Sequence, residues 1–140
     1  MGAEGGLGMM EDEGEDEGRP TQEALTFSII EAVIKVHGAL GPGCPESVYR
    51  RALVIELRKR ALPVEDEVEV AVDHDGQVFG RGWLDLVVDR RVIVELKTVE
   101  ELETAHYAQV RSYLRATGLP VALLVNFAKE KADYRRIERN

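Results

Sequence analysis

The chain has 140 residues, of which 44% are hydrophobic, and a formal net charge of −8 at pH 7. This length suffices for one domain with a buried core and is short for two. No apolar run approaches the roughly 20 residues that cross a bilayer, and no secretory signal is recognisable. The single cysteine, Cys44, excludes an internal disulfide. We therefore expect a cytoplasmic protein with no membrane partner.

The negative charge is concentrated at the N-terminus. Residues 1–20 contain seven acidic residues and one basic residue, a net of −6, which leaves −2 for residues 21–140. The first segment is also rich in glycine and poor in residues that form a core. It is therefore predicted to be a disordered acidic tail, followed by a single domain at 21–140. Because this domain is nearly neutral, its charge neither favours nor excludes a polyanionic partner.

Two helices are predicted at the start of the domain. Apolar residues recur every three or four positions from about Thr21, and Gly38, followed by residues 41–43, ends this helix. A second helix begins near Pro45, because proline is well tolerated in a first turn. Its end carries basic residues at 58–60, which complement the helix dipole.

Five strands and a third helix are predicted after Pro63. The strands are expected at residues 68–72, 78–88, 92–97, 121–127 and 133–139. The third helix occupies about 100–118, between the third and fourth strands. The predicted order is ααβββαββ, which indicates an α/β fold with a mixed central sheet flanked by helices.

Charged residues interrupt two of the apolar strands. Asp85 lies within the second strand, and Glu95 and Lys97 lie at the end of the third. Because side chains alternate faces along a strand, Glu95 and Lys97 share a face. A hairpin turn through residues 89–91 places Asp85 opposite Glu95, whereas a two-residue turn would separate their faces. The three-residue turn therefore predicts two carboxylates and an ammonium on one face of the sheet.

Such a cluster has the composition of a metal-dependent catalytic site. Two adjacent carboxylates repel unless a proton or a cation lies between them. Mg²⁺ and Mn²⁺ prefer oxygen ligands, and Mg²⁺ commonly binds through one or two carboxylates together with substrate phosphate. Asp85 and Glu95 are therefore predicted to be metal ligands. Lys97 is predicted to orient or deprotonate the attacking water, or to stabilise developing charge.

Two motifs in the chain resemble those of known nucleases. Asp85 with the sequence Glu95-Leu96-Lys97, on a hairpin that leads into a helix, is similar to the core of the PD-(D/E)XK nuclease superfamily. The sequence "GCPESVY" at 43–49 fits Gly-x-x-Glu-x-x-Tyr, the signature of the small bacterial GxxExxY family. The resemblance to that family covers nearly all of residues 22–140.

The resemblance implies a restriction-endonuclease-like fold and a role for each matching residue. Glu46 would be a carboxylate that a helix before the sheet contributes to a metal ion or a water. The Leu96 carbonyl would be a further metal oxygen, and Lys97 would be the catalytic lysine. Gln109, with Tyr113 four residues later, would lie on the helix that borders the active site.

The same residues also have simpler interpretations. An acid in a first helical turn, such as Glu46, favours the helix dipole whatever its function, and Tyr49 fits a core position. The charged cluster on the strands could remain as an ion-pair scaffold after catalysis is lost. The basic residues of the second helix either follow a phosphate backbone or form a solvated face. They are Arg50, Arg51, Arg58, Lys59 and Arg60.

The predicted function is Mg²⁺- or Mn²⁺-dependent hydrolysis of phosphodiester bonds in DNA or RNA. The alternative is a catalytically inactive module that binds nucleic acid or protein on the same scaffold. The nearly neutral domain and the acidic tail favour this alternative, because most nucleases show a clear basic footprint. A third interpretation is a subunit completed by another protein or by its own copy, as in a homodimer.

Overall fold

A computed structural model gives the structure of the chain and describes residues 18–140. The helices are α1 (Gln22–Leu40), α2 (Glu46–Lys59) and α3 (Thr104–Thr117). The strands are β1 (Val64–His74), β2 (Gln77–Val88), β3 (Val92–Lys97), β4 (Val121–Asn126) and β5 (Asp133–Glu138). The order along the chain is the predicted ααβββαββ. None of the helices in this range combines the length and apolarity that crossing a membrane requires.

The predicted tail, residues 1–20, lies largely outside the described residues. Its last two residues contact the domain. The Arg19 guanidinium lies 3.2 Å from the Asp89 carboxylate, and the Arg91 guanidinium donates a hydrogen bond to the Pro20 carbonyl at 2.7 Å. Arg19 and Pro20, at the end of the predicted tail, therefore contact the domain.

Helix α1 begins where the sequence predicts and ends slightly later. Thr21 caps its N-terminus, and the threonine hydroxyl accepts a hydrogen bond from the amide three residues on at 3.0 Å. Gly41 follows the last helical residue, and its N–H donates to the His37 carbonyl at 2.7 Å. Gly38 lies inside the helix, because a single glycine in a helix interior costs too little to end it.

The strands form one sheet in the order β1-β2-β3-β4-β5. Strands β3 and β4 are parallel and are connected through α3, whereas the other neighbouring pairs are antiparallel. The predicted α/β fold with a mixed sheet is therefore confirmed. Strand β1 begins four residues before its predicted start, and β1 and β2 form a long hairpin that extends beyond β3.

Helices cover both faces of this sheet. On one face, α1 and α2 pack against Val92, Val94 and Leu96 of β3 in a single hydrophobic core. On the other face, α3 packs against Ile93 of β3 and Leu124 of β4. All six residues of β4 are buried, as its continuous apolar run predicts. The end of β3 consequently lies between two helical layers.

Strand β2 passes from one core to the other near Asp85. Leu86 and Val88 belong to the core beneath α1 and α2, whereas Leu84 packs in the core beneath α3. Strict alternation would have kept all three on one face. The β1–β2 pairs on either side of this position are Asp66–Leu86 and Val68–Leu84, and Glu67, between the two β1 residues, has a φ of 51°. A non-glycine residue rarely adopts this conformation, so the strand pair is irregular where it carries the first carboxylate.

Candidate active site

The hairpin between β2 and β3 brings the two strand carboxylates together. Its last paired residues before the site are Leu86 and Val94. Continuing this register by one position places Asp85 opposite Glu95, and residues 89–91 form the turn. This is the arrangement that a three-residue turn predicts.

Where the β2–β3 ladder ends, each carboxylate accepts a hydrogen bond from a backbone N–H of the other strand. The Asp85 N–H donates to Glu95 Oε2 at 2.9 Å, and the Leu96 N–H donates to Asp85 Oδ2 at 2.8 Å. Within residues 18–140 neither carboxylate accepts another hydrogen bond. One oxygen of each side chain therefore accepts no hydrogen bond from the described residues.

Burial makes the ionised state of this pair costly. Glu95 is only 3% exposed. Its burial, and then the negative charge of Asp85, raise the pKa of Glu95 from 4.5 to about 8. Burial also raises the pKa of Asp85. In the absence of a bound cation, the pair therefore resists carrying two full negative charges near neutral pH.

Lys97 reaches the site from the end of β3. Its side chain is half-buried, and Nζ donates to Gln109 Oε1 on α3 at 3.1 Å. The positive charge of Lys97 acts to lower the pKa of Glu95 and of Asp85, although burial outweighs it. The structure thus brings Gln109 into contact with the lysine that the resemblance makes catalytic.

Tyr113, one helical turn after Gln109, closes the α3 side of the site. Its ring packs so closely on β2 that a Cβ added to Gly82 would lie 2.8 Å from the tyrosine hydroxyl oxygen. A side chain at position 82 would therefore force the Tyr113 ring to move. Burial, and then the charge of Glu95, raise the pKa of the Tyr113 hydroxyl.

Glu46 approaches the pair from the opposite helical layer. It is the first residue of α2. Its burial, and then the negative charge of Asp85, raise the pKa of its carboxyl. In the described part of the chain, no three or more His, Cys, Asp or Glu side chains are grouped so that they could hold a metal ion. Glu46 therefore lies near the pair without completing a three-carboxylate site.

Tyr49 shapes the loop that precedes Glu46. Its ring stacks on Phe127 with 4.3 Å between ring centroids, and its hydroxyl donates to the Gly41 carbonyl. Gly43, in the same loop, has a φ of 108°, which a residue with a side chain rarely adopts. The tyrosine is fully buried, as its simpler interpretation predicts. Glycine and tyrosine of the motif thus fix the entry to α2.

Two further charged residues lie beside the site: Arg50, which the sequence places only in a general basic stripe, and Glu67, which no pattern singles out. Arg50 lies one turn after Glu46, and its charge acts to lower the pKa of Glu46 and of Asp85. The Arg50 Nη2 atom lies 3.4 Å from Oε2 of Glu67 on β1. The i, i+4 spacing from Glu46 is the signal that could have placed Arg50 beside the site. No local pattern indicates the position of Glu67.

Comparison with protein families gives one match over most of the chain. The sequence model described as the PD-(D/E)XK nuclease superfamily matches residues 23–137. This range includes all eight helices and strands except the first residue of α1 and the last residue of β5. Among curated proteins, none matches the sequence.

Two solved structures share the fold. The crystal structure of SSO0001 has a TM-score of 0.54 and 20% identity over 67% of this chain, which spans only half of that protein. An alkaline exonuclease from Laribacter hongkongensis (LHK-Exo) has a TM-score of 0.52 and 12% identity, over 89% of this chain and 74% of that one. At such identities the likeness establishes the fold.

Proposed function

The chain belongs to the PD-(D/E)XK nuclease superfamily, and on that premise we propose that it is a metal-dependent nuclease. It would hydrolyse phosphodiester bonds of DNA or RNA with Mg²⁺ or Mn²⁺. The observation that carries this proposal is the buried Asp85–Glu95 pair with Lys97 beside it. Two buried carboxylates this close together cost free energy unless a proton or a cation neutralises one of the charges, and we propose that a bound cation does so in the working enzyme. The narrower assignment to the GxxExxY family rests on the motif at 43–49.

The donor atoms at the pair suit a hard divalent cation. Nucleases of this superfamily generally use divalent metal ions. Asp85 and Glu95 each have an oxygen that accepts no hydrogen bond within residues 18–140, and the carbonyl of Leu96 follows Glu95 in the chain. Because Mg²⁺ commonly takes only one or two protein carboxylates and completes its shell with water and phosphate, a third carboxylate is not needed. When bound, such an ion stabilises charge on phosphate oxygens and acidifies water.

The remaining residues would act on the nucleophile and the substrate. Gln109 holds the Lys97 ammonium through its side-chain oxygen, so Lys97 would orient the attacking water or take part in its deprotonation. Glu46, on the α2 side, would hold a second water or a second ion. Asp85 and Glu95 would hold the first ion.

The test of this proposal is cleavage of labelled oligonucleotides. Single-stranded and duplex DNA and RNA are incubated with Mg²⁺, with Mn²⁺ or with a chelator. We expect cleavage of at least one substrate with metal, none with the chelator, and none by the Asp85→Ala/Glu95→Ala variant. Glu130→Ala, which removes an exposed carboxylate elsewhere, serves as the control. Metal-dependent cleavage that survives the double substitution would place catalysis at another site.

The second candidate function is a module that binds nucleic acid without cutting it. The nearly neutral charge of residues 21–140 favours it, because most nucleases carry a clear basic footprint. Salt-dependent binding to the same oligonucleotides, without cleavage in either metal, would identify this function instead.

A further inference from the structure

We propose that Arg50 binds a phosphate group of the nucleic-acid strand, next to the Asp85–Glu95 pair. This inference rests on the proposed function, because it assumes that a nucleic acid occupies the site. It assigns a substrate-binding role to one arginine of α2. Of the other basic residues of that helix and its end, Arg51 and Lys59 are exposed, whereas Arg58 and Arg60 bond to protein oxygens.

The Arg50 guanidinium is largely buried without being fully paired. Its side chain is 18% exposed. Its Nε is the one buried side-chain nitrogen or oxygen in residues 18–140 that lacks a hydrogen-bond partner. Buried polar groups are nearly always satisfied in folded proteins, and an exception at a cluster of functional residues points to a ligand.

The single ion pair that Arg50 makes is weak. Nη2 lies 3.4 Å from Oε2 of Glu67, whose side chain is 62% exposed. Strong guanidinium–carboxylate pairs have N–O distances of about 2.7–2.9 Å. A long contact with a solvated carboxylate is readily exchanged for a phosphate. Glu67 would thus hold the guanidinium near the site until the substrate replaces it.

The position of Arg50 complements that of Lys97. Arg50 lies on α2, and Lys97 ends β3 beneath α3, so the two cations flank the carboxylate pair from opposite helical layers. A guanidinium presents a planar fork that matches two phosphate oxygens, which an ammonium cannot do. Arg50 would therefore fix the strand by one phosphate, while Lys97 acts at the bond that is cut.

Binding of phosphorothioate oligonucleotides in Mg²⁺ tests this role. Single-stranded and duplex DNA and RNA probes are followed by fluorescence anisotropy over a range of salt concentrations. We expect Arg50→Gln to weaken binding about tenfold, because a hydrogen-bonded charge pair is lost. The slope of log K against log salt should fall by about 0.7 for a single strand or 0.9 for a duplex. Arg50→Lys should restore the slope and only part of the affinity.

Arg51→Gln is the matched control, because Arg51 is the next residue of α2, is exposed, and makes no hydrogen bond or ion pair in the described structure. It removes the same charge from the same helical turn, so affinity and slope should change little. Equal effects of Arg50→Gln and Arg51→Gln would overturn the proposal and support a general basic face. Thermal unfolding followed by circular dichroism confirms that the variants are folded.

Glu67→Gln separates phosphate binding from a purely structural ion pair. If Arg50 binds phosphate, removing Glu67 frees the guanidinium, and affinity stays the same or increases. Weaker binding of Glu67→Gln, equal to that of Arg50→Gln, would overturn the proposal. Wild-type protein that neither binds the phosphorothioate probes nor cleaves the unmodified oligonucleotides would overturn the nuclease function and this role together. A wild type that binds and cleaves, with Arg50→Gln equal to Arg51→Gln, would refute only the role of Arg50.

Discussion

The Glu95→Gln variant is expected to be more stable than the wild type at pH 8.5 and to have lost cleavage. The amide has the shape of the carboxyl group and still accepts the Asp85 N–H, but it carries no charge to bury. The folded-state pKa of Glu95 is about 8, against an ordinary value of 4.5. Between these values the folded protein therefore holds a proton that the unfolded chain releases. Wild-type stability from this group is fully present below about pH 4.5 and falls as the pH rises to about 8.

Urea unfolding at pH 5 and at pH 8.5 measures this effect. Because each pKa unit corresponds to about 1.4 kcal/mol, we expect the variant to gain about 2–4 kcal/mol relative to the wild type at pH 8.5. The gain at pH 5 should be small. Glu130→Gln, at an exposed position, should show neither difference. A gain that is the same at both pH values would mean that Glu95 is already ionised in the fold.

Loss of cleavage in the same Glu95→Gln protein distinguishes a functional carboxylate from a structural one. Removing an electrostatic group that acts on the transition state typically lowers the rate by about 10²–10³-fold. We expect a loss of at least that size. A stabilised variant with unchanged cleavage would show that the buried pair has no part in catalysis.

Lys97→Met is expected to lower kcat by about 10²–10⁴-fold, the range for removal of a general acid or base. The side chain is half-buried and its hydrogen bond is to Gln109, so we expect stability to change by no more than about 1 kcal/mol. Steady-state cleavage kinetics and urea unfolding measure the two effects. Lys131→Met, at an exposed lysine, is the control.

Gln109→Ala distinguishes a positioning role from a structural one. Because Gln109 orients Lys97 without reaching the pair itself, we expect a smaller loss that falls on kcat and leaves KM unchanged. A rise in KM alone would assign Gln109 to substrate binding.

For the Lys97→Met variant, a wild-type kcat would mean that the lysine serves only as a counter-charge for the carboxylates.

The element order of the fold is predictable because its signals are local. The cap at Thr21, Pro45 at the start of α2 and the apolar run of β4 each act within a few residues. Register is also predictable, because the length of the turn at 89–91 fixes which residues of β2 and β3 face each other. This is why the Asp85–Glu95 contact follows from sequence alone.

The features that the sequence does not predict depend on distant contacts. The passage of β2 between two cores at Asp85 requires both helical layers to be in place. The pairing of Arg50 with Glu67 joins α2 to a residue of β1 with an uncommon backbone conformation. The contacts of Arg19 and Pro20 depend on the β2–β3 turn, about 70 residues later in the chain. No periodicity or short motif encodes such relations.

Metal binding at the carboxylate pair tests the central claim most directly. Mg²⁺ and Mn²⁺ are titrated calorimetrically into the wild type and into Asp85→Asn, each alone and with the phosphorothioate oligonucleotides. These keep one non-bridging oxygen on each phosphate, the kind of ligand that Mg²⁺ commonly needs, and the softer Mn²⁺ also accepts their sulfur. We expect weak binding to the wild type that strengthens with the oligonucleotide and is lost in Asp85→Asn. Absence of binding to the wild type with every oligonucleotide, or equal binding to both proteins, would contradict a metal site at Asp85 and Glu95.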